Sequence, residues 1–171
     1  MSAQPKNRPS SNVFSITRTF DAPRADVWRA WSQPEALAQW WGPKGCKVDV
    51  SMLEFRPGGF FHYAMKFAGA ETMWGRFFYR EIAAPQKLAW LNSFSNPNCG
   101  MARAPFSDQC PFEILNSVTF EERGDRTLLS LEATPFGAAE QELAFFENLK
   151  PSLDDGYGGT LDQLAEHLAT R

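Results

Sequence analysis

The chain has 171 residues, of which 43% are hydrophobic and 22% are charged, and its formal net charge is −3. This length favours one domain that buries its core without a metal or a disulfide. The mild negative charge argues against a nucleic-acid partner, because such partners need a basic surface to neutralise phosphates. Aromatic residues make up 14% of the chain, enough to fill a wide interior or to line a cavity inside it.

The N-terminal segment, residues 1–12, is polar and contains Pro5 and Pro9. It lacks the apolar stretch of a signal peptide, and no apolar run in the sequence reaches the ~18–20 residues that span a bilayer. We therefore expect a disordered tail over residues 1–12 and a single domain over residues 13–171. We also expect no membrane partner and a cytoplasmic location.

Three cysteines are present, Cys46, Cys99 and Cys110. The last two lie in one loop-like segment and could form a disulfide. In a chain without an export signal, reduced thiols are favoured.

Alternating apolar residues predict a strand over residues 13–20, and helical spacing then predicts two short helices that end at Gly42-Pro43. Strand patterns fill most of the following chain, and the short turns between them imply antiparallel pairing. The predicted strands of this part cover residues 46–55, 60–67, 72–82, 88–94, 112–122 and 126–134.

Residues 95–111 interrupt this rhythm with prolines, glycines and asparagines. The segment is longer than an ordinary hairpin loop, and loops of this kind are often functional. It also carries Met101 and Phe106, which a solvated linker has little use for. We interpret it as a lid, with Phe146 and Tyr157 forming the opposite wall of a pocket.

An apolar stripe at helical spacing runs over residues 143–168 and predicts a long C-terminal helix. Pro151 should kink or restart this helix. Gly156, Gly158 and Gly159 weaken it by about 1 kcal/mol each relative to Ala. Such a cost suggests the close approach of another backbone or of a ligand.

This order of elements predicts an α+β fold, in which an antiparallel sheet of six to seven strands has its inner face covered by the C-terminal helix. Several pieces of the sequence resemble the heat-shock-protein-90 ATPase activator-like family, in matching order and spacing. The pieces include Phe20-Asp21-Ala22-Pro23, Trp40-Trp41-Gly42-Pro43, Arg56-Pro57-Gly58-Gly59 and Gly156-Tyr157-Gly158-Gly159.

The resemblance covers about residues 13–168 and implies the helix-grip fold of the START-like, birch-pollen-allergen-like (SRPBCC) superfamily. In that fold a curved sheet wraps around the C-terminal helix and encloses a cavity. Relative to the family, residues 95–111 look like an insertion. The resemblance implies a fold and a cavity rather than an activity.

A helix gripped by a curved sheet leaves space between the two, and ligand sites are typically apolar with a few polar groups. Tyr63 and Asn92 could supply the polar groups here, although for any single aromatic residue plain core packing is the more common explanation. The candidate ligand-binding residues are Tyr63, Met65, Trp74, Phe77, Trp90, Asn92, Phe94, Phe112, Phe146 and Tyr157.

The sequence offers no motif for a metal site, and we expect neither a metal nor a cofactor. His62 and His167 are far apart and stand outside any metal-binding pattern. We expect His62 to face solvent on the same side of its strand as Lys66. His167 is expected to be a solvated residue in the last helical turn, where the helix dipole favours a positive charge.

The catalytic residues, if there are any, are unknown from the sequence. Glu54, Glu81, Glu113 and Glu132 lie in predicted strands, and one that faced the interior could act as a general acid or base. Strands also carry glutamates on their solvent faces as a matter of course. Glu113, between two apolar residues and next to the long loop, is the first to test.

Three functions follow from these observations. The leading one is the binding of a small hydrophobic or aromatic molecule between sheet and helix. The second is an enzyme that resembles cyclases or hydrolases and uses acid–base residues of the pocket. The third is a chaperone-associated interaction domain, and homodimer formation stays open.

Overall fold

The computed structural model describes residues 12–170, so the predicted tail lies outside the described residues except for Asn12. The elements in chain order are β1 (Phe14–Phe20), α1 (Arg24–Ser32), α2 (Pro34–Trp40), β2 (Lys47–Leu53), β3 (Phe60–Lys66), β4 (Met73–Ala83), β5 (Lys87–Ser95), β6 (Met101–Ala102), β7 (Glu113–Arg123), β8 (Arg126–Phe136) and α3 (Glu140–Ala169).

The strands form one antiparallel sheet in the order β1-β8-β7-β5-β4-β3-β2, with β6 added beside the end of β5. The α+β prediction and the two short helices after β1 are confirmed. The sheet has eight strands because the predicted loop over residues 95–111 contains β6. A two-residue strand has no periodic pattern by which a sequence could reveal it.

Helix α3 covers the inner face of the sheet through the apolar stripe predicted for it. Phe146, Leu161, Leu164 and Leu168 are all buried. The helix continues through Pro151 without a new start. Neither α3 nor any other helix within residues 12–170 has a stretch apolar enough to cross a membrane.

The turn after α2 ties α3 to the rest of the molecule. Gly42 has φ +98°, a backbone conformation that side chains disfavour. Its carbonyl oxygen accepts hydrogen bonds from Thr160 Oγ1 at 2.9 Å and from Gln163 Nε2 at 2.7 Å. Gln163 Nε2 also donates to the Trp40 carbonyl at 3.0 Å. One turn therefore binds two side chains of α3.

Tryptophans of the two short helices form the centre of the core. Trp40 is fully buried, and its indole N–H donates to the Ala30 carbonyl at 2.9 Å. Its ring centroid lies 4.8 Å from that of Trp31 in an edge-on contact. Aromatic pairs of this kind contribute beyond the area they bury.

The three cysteines are free in the structure. Burial raises the pKa of all three thiols, because the charged thiolate is less well solvated inside the protein. The sequence-based preference for reduced thiols is in agreement with this arrangement.

We expect Trp40→Ala to lower the free energy of unfolding by about 3–5 kcal/mol, because it removes a buried indole and leaves a cavity. Urea denaturation of the purified variant measures this change. Trp40→Phe, which keeps a ring but loses the indole donor, should cost less. A change under about 1 kcal/mol for Trp40→Ala would contradict the packing described here.

Candidate functional site

A cavity lies between the inner face of the sheet and α3. It consists of two adjoining chambers of about 160 Å³ and about 290 Å³. The first extends to Phe112 and Asn116, and the second extends past Trp41 to Gly156. The residues that line both chambers are Tyr63, Met65, Asn92, Phe94, Leu153 and Tyr157.

Tyr63 takes its position in the cavity from a glycine on the neighbouring strand. Tyr63 on β3 is paired with Gly75 on β4. A Cβ atom on Gly75 would lie 2.6 Å from the Tyr63 hydroxyl oxygen, closer than real Cβ atoms come. Only glycine therefore leaves room for the phenol to lie across the sheet, and the Tyr63 side chain is buried there.

The Tyr63 hydroxyl has polar neighbours in an otherwise apolar wall. Burial raises the pKa of Tyr63, and the nearby polar side chains of Trp41 and Asn92 act in the opposite direction. Asn92 is itself held in place, since its Nδ2 donates to the Arg76 carbonyl at 3.2 Å. These three polar groups meet at one end of the cavity.

A second polar group lies on the helix side. The Tyr157 hydroxyl donates to Asn116 Oδ1 at 2.9 Å, and Asn116 Nδ2 donates to the Ile114 carbonyl at 3.3 Å. Asn116 is fully buried. Burial raises the pKa of Tyr157, and the nearby Tyr63 hydroxyl raises it further. Tyr157 also stacks on Phe14, with ring centroids 5.7 Å apart.

The structure places most of the predicted site residues on the cavity wall. They are Tyr63, Met65, Asn92, Phe94, Phe112 and Tyr157. Sequence reasoning missed Trp41, Gly75 and Asn116. The signal for Asn116 was present, because it is a lone polar residue at an inward-facing position of β7 between Ile114 and Val118.

Three predicted site residues pack in the core instead. Phe77 stacks on Trp90 with ring centroids 4.5 Å apart, and both are fully buried outside the two chambers. Phe146 is likewise fully buried and belongs to the same core. The prediction that Phe146 forms a wall of the cavity is therefore wrong, because its side chain is enclosed by the core and lines neither chamber.

Trp74 lies on the opposite face of the sheet, which corrects its assignment to the pocket. It is paired with Ala64 and stacks on His62, with ring centroids 4.9 Å apart. Side chains alternate between faces along a strand. Trp74 and Phe77 are three residues apart, so a regular strand cannot turn both of them inward.

None of the four strand glutamates reaches the cavity. Glu113 and Glu132 lie next to Ile114 and Ala133, which line it, so they point to the outer face. Glu113 is therefore not an interior acid or base. The other two carboxylates form ion pairs, Glu54 with Arg56 and Glu81 with Lys87.

His62 faces away from the cavity as predicted, but it is not exposed to solvent. Its side chain is 1% exposed because Trp74 covers the ring. Nε2 lies 3.1 Å from both Ser95 Oγ and the Asn96 carbonyl oxygen. A carbonyl only accepts, so Nε2 carries the proton of the neutral ring. Burial, with a smaller contribution from Arg76, lowers the pKa of His62.

His167 lies in the last turn of α3, where its Nδ1 is 3.0 Å from Gln39 Oε1. It is partly buried rather than fully solvated. Burial lowers the pKa of His167, so the neutral form is favoured over the charged form expected from the helix dipole.

The segment over residues 95–111 runs beside the cavity from the sheet to α3. The Phe106 ring lies 5.8 Å from that of Phe94 and 6.4 Å from that of Phe145, yet 58% of Phe106 is exposed. Arg103 makes an ion pair of 2.6 Å with Glu142 and lies over the Phe112 ring at 4.5 Å.

Residues 21–169 match the model of the family described as "Activator of Hsp90 ATPase homolog 1-like protein". The chain belongs to this family. The resemblance seen in the sequence is thereby confirmed. A search of functionally curated proteins finds no significant match.

Solved structures show the same fold at low sequence identity. A protein of Arthrobacter aurescens is 24% identical, with a TM-score of 0.79 over 97% of this chain and 91% of that one. A Mycobacterium smegmatis protein is 20% identical, with a TM-score of 0.77 over 98% of both chains. An AHSA1 protein of Silicibacter pomeroyi is 17% identical, with a TM-score of 0.70 over 92% of this chain and 98% of that one.

The lowered pKa of His62 predicts a loss of stability in mild acid. Below the ordinary histidine pKa of about 6.5 the unfolded chain binds a proton more readily than the folded one, so the free energy of unfolding falls as pH falls. Urea denaturation between about pH 7 and pH 5 measures this slope. We expect His62→Gln to flatten it.

His167→Gln is the matched control, because the pKa of His167 is also lowered but its ring is less deeply buried. It should flatten the slope less than His62→Gln does. Carboxylates with lowered pKa values, such as Asp162 and Glu142, lose their contribution only in stronger acid. A slope unchanged by His62→Gln would contradict the buried, neutral imidazole.

Proposed function

We propose that the protein binds a small, largely apolar molecule in the cavity between the sheet and α3. The observation that carries this proposal is a buried hydrogen-bonded pair, Tyr157 with Asn116, at the wall of an apolar cavity. Burying a polar group costs free energy, so an apolar side chain would fill the same interior space at a lower cost than the Asn116 amide does. A few placed polar groups in an apolar cavity are typical of ligand sites.

The glycines of α3 also support the binding of a small molecule in this cavity. A Cβ atom on Gly156 or Gly158 would meet no atom within 4 Å, so no backbone crowds either residue. The alternative of a closely approaching backbone is therefore wrong for these two. Gly156 lines the larger chamber, so the absence of its side chain enlarges the cavity. A helix that carries glycine at such a place loses stability and gains space.

Binding is better supported than acid–base catalysis. The side chains on the cavity wall include neither a carboxylate nor an imidazole among the described residues. The pKa values of Tyr63 and Tyr157 are raised, so both hydroxyls stay protonated at neutral pH and act as hydrogen-bonding groups rather than bases. Among the described wall residues, the enzyme alternative therefore has no carboxylate or imidazole that could remove a proton.

Native mass spectrometry of protein purified from its own source tests the proposal directly. We expect a co-purified small molecule, which should be lost from a variant with a filled cavity. A second test uses prodan, a neutral naphthalene dye whose fluorescence increases in apolar surroundings. It should bind with roughly micromolar affinity, near −8 kcal/mol. If neither a natural ligand nor prodan binds, the proposal fails.

Gly156→Leu should block the cavity, because its side chain would enter the open space of the larger chamber. We expect prodan affinity to fall by about tenfold or more, measured by fluorescence titration.

Gly158→Leu is the matched control, since the same substitution two residues away does not face either chamber. Both variants gain helix propensity and should be as stable as the parent chain or more stable. Equal prodan affinity in the two variants would contradict the location of the site.

We further propose that Phe106 acts as part of a lid. Its ring bridges Phe94, which lines both chambers, and Phe145 of α3. Phe106→Ala should therefore accelerate prodan release in stopped-flow fluorescence while changing thermal stability little, because a lid governs exit.

Phe136 is an exposed phenylalanine outside the cavity, so Phe136→Ala is the control and should leave release unchanged. Replacement of residues 96–110 by a short Gly-Ser link should increase the release rate as well. Unchanged release in this replacement would rule out the lid while leaving the cavity proposal intact.

A further inference from the structure

The outer face of the sheet, which points away from α3, carries an apolar row across four neighbouring strands. Residues that are paired across an antiparallel sheet share one of its faces. The row consists of residues that the strand registers pair one after another, namely Phe60, Phe78, Leu91 and Leu115. The Phe60 and Phe78 rings meet edge-on with centroids 5.2 Å apart. Leu91 is buried, whereas the other three residues stay partly exposed.

Both edges of this face are polar. Ser15, Thr17 and Thr19 of β1 are exposed at one edge, and Asp49 of β2 forms an ion pair with Lys66 at the other. An antiparallel sheet that leaves one face in water normally carries polar side chains across that face. The apolar row is therefore a local departure from this pattern, confined to the centre of the sheet.

Charged residues flank the apolar row with opposite signs on its two sides. Arg76 and Arg80 lie on β4, whereas Glu113 lies on β7 and Glu132 on β8. Within residues 12–170 none of these four side chains forms an ion pair. The Arg76 guanidinium instead lies over the Phe60 ring at 5.0 Å. A face with cations on one side and anions on the other is complementary to a second copy of itself.

A two-fold axis parallel to the strands and above β5 satisfies this complementarity. Sheets stack face to face in such an aligned arrangement, about 10 Å apart. The axis puts β4 of one copy opposite β7 of the other. Phe78 then meets the partner's Leu115, because both residues are level with Leu91 along the strands. Leu91 meets its own counterpart, so the two apolar rows cover each other.

The same axis brings the opposite charges together. Arg76 and Glu113 flank Ser93 of β5 at one level along the strands, so each Arg76 faces the partner's Glu113. Arg80 lies within one strand spacing, about 4.8 Å, of the partner's Glu132. Two-fold symmetry makes each of these contacts twice. Complementary charges of this kind fix the register and disfavour other partners.

We infer that the outer face of the sheet is the interface of a homodimer, in which two copies pack back to back about a two-fold axis above β5. The interface lies on the side of the sheet opposite to α3, so it does not depend on the proposed binding function. The apolar row is short, and small interfaces are weak. We therefore expect a dissociation constant on the order of 10–100 μM.

Sedimentation velocity of the unaltered chain tests the dimer directly. Between about 1 μM and about 500 μM the sedimentation coefficient should rise from the value of a monomer to that of a dimer. A monomer at every concentration in this range would overturn the inference.

Glu113→Lys and Arg76→Glu test the symmetry of the interface. Either variant alone sets like charges against each other at both contacts, so its dimer should be at least about tenfold weaker. An equimolar mixture of the two variants should regain the affinity. In the mixed dimer Arg76 of one chain meets Glu113 of the other, and the new glutamate meets the new lysine. A mixture that stays monomeric would overturn the two-fold arrangement.

Arg76 also donates to the Cys99 carbonyl at 2.7 Å, so its replacement can affect folding. Arg80→Glu mixed with Glu132→Lys repeats the test at two exposed residues, and circular dichroism checks the fold of every variant. Glu166→Lys is the control, because it makes the same change of charge on the exposed surface of α3. It should leave the dimer unchanged. Equal weakening by Glu113→Lys and Glu166→Lys would place any dimer contact elsewhere and overturn the inference.

Discussion

Two hydrogen bonds to one backbone carbonyl attach α3 to the turn after α2. Thr160 and Gln163 both donate to Gly42, and the arrangement depends on a glycine that tolerates φ +98°. Near the other end of the helix, Glu142 accepts from the Ala139 amide at 2.9 Å and pairs with Arg103. Between these two attachments α3 passes over the sheet without filling the space beneath it, which explains how a cavity persists in a close-packed fold.

The polar groups of the cavity are held just as firmly as its walls. Tyr63 lies where Gly75 leaves room, and Asn116 is bonded through both ends of its amide. Side chains fixed in this way lose little further freedom when a ligand arrives, and such preorganisation favours tight binding. The hydrophobic walls supply most of the driving force through the apolar area that a ligand buries.

The fold was readable from the sequence because alternation and helical spacing report directly on local structure. Alternation indicated the correct faces for Tyr63 and Asn92, and helical spacing indicated the correct face for Tyr157. Alternation could not tell that Trp90 packs against Trp31 of α1 and Phe77 rather than lining the cavity. It indicates the face of the sheet that a side chain is on, but not which neighbours cover that face. His62 illustrates a different limit, because its face was right but its burial depends on Trp74, a neighbour from another strand.

Pro151 has no amide hydrogen to complete a helical bond, and three glycines follow it within the stretch of α3 that covers the cavity. This is the part of the helix with the lowest intrinsic resistance to local opening, and it lies between two firm attachments. A ligand that packs beneath it would suppress that opening and slow the exchange of its amide hydrogens with solvent. Occupancy of the cavity would thus be transmitted to the outer surface of α3 as rigidity, with little change of shape.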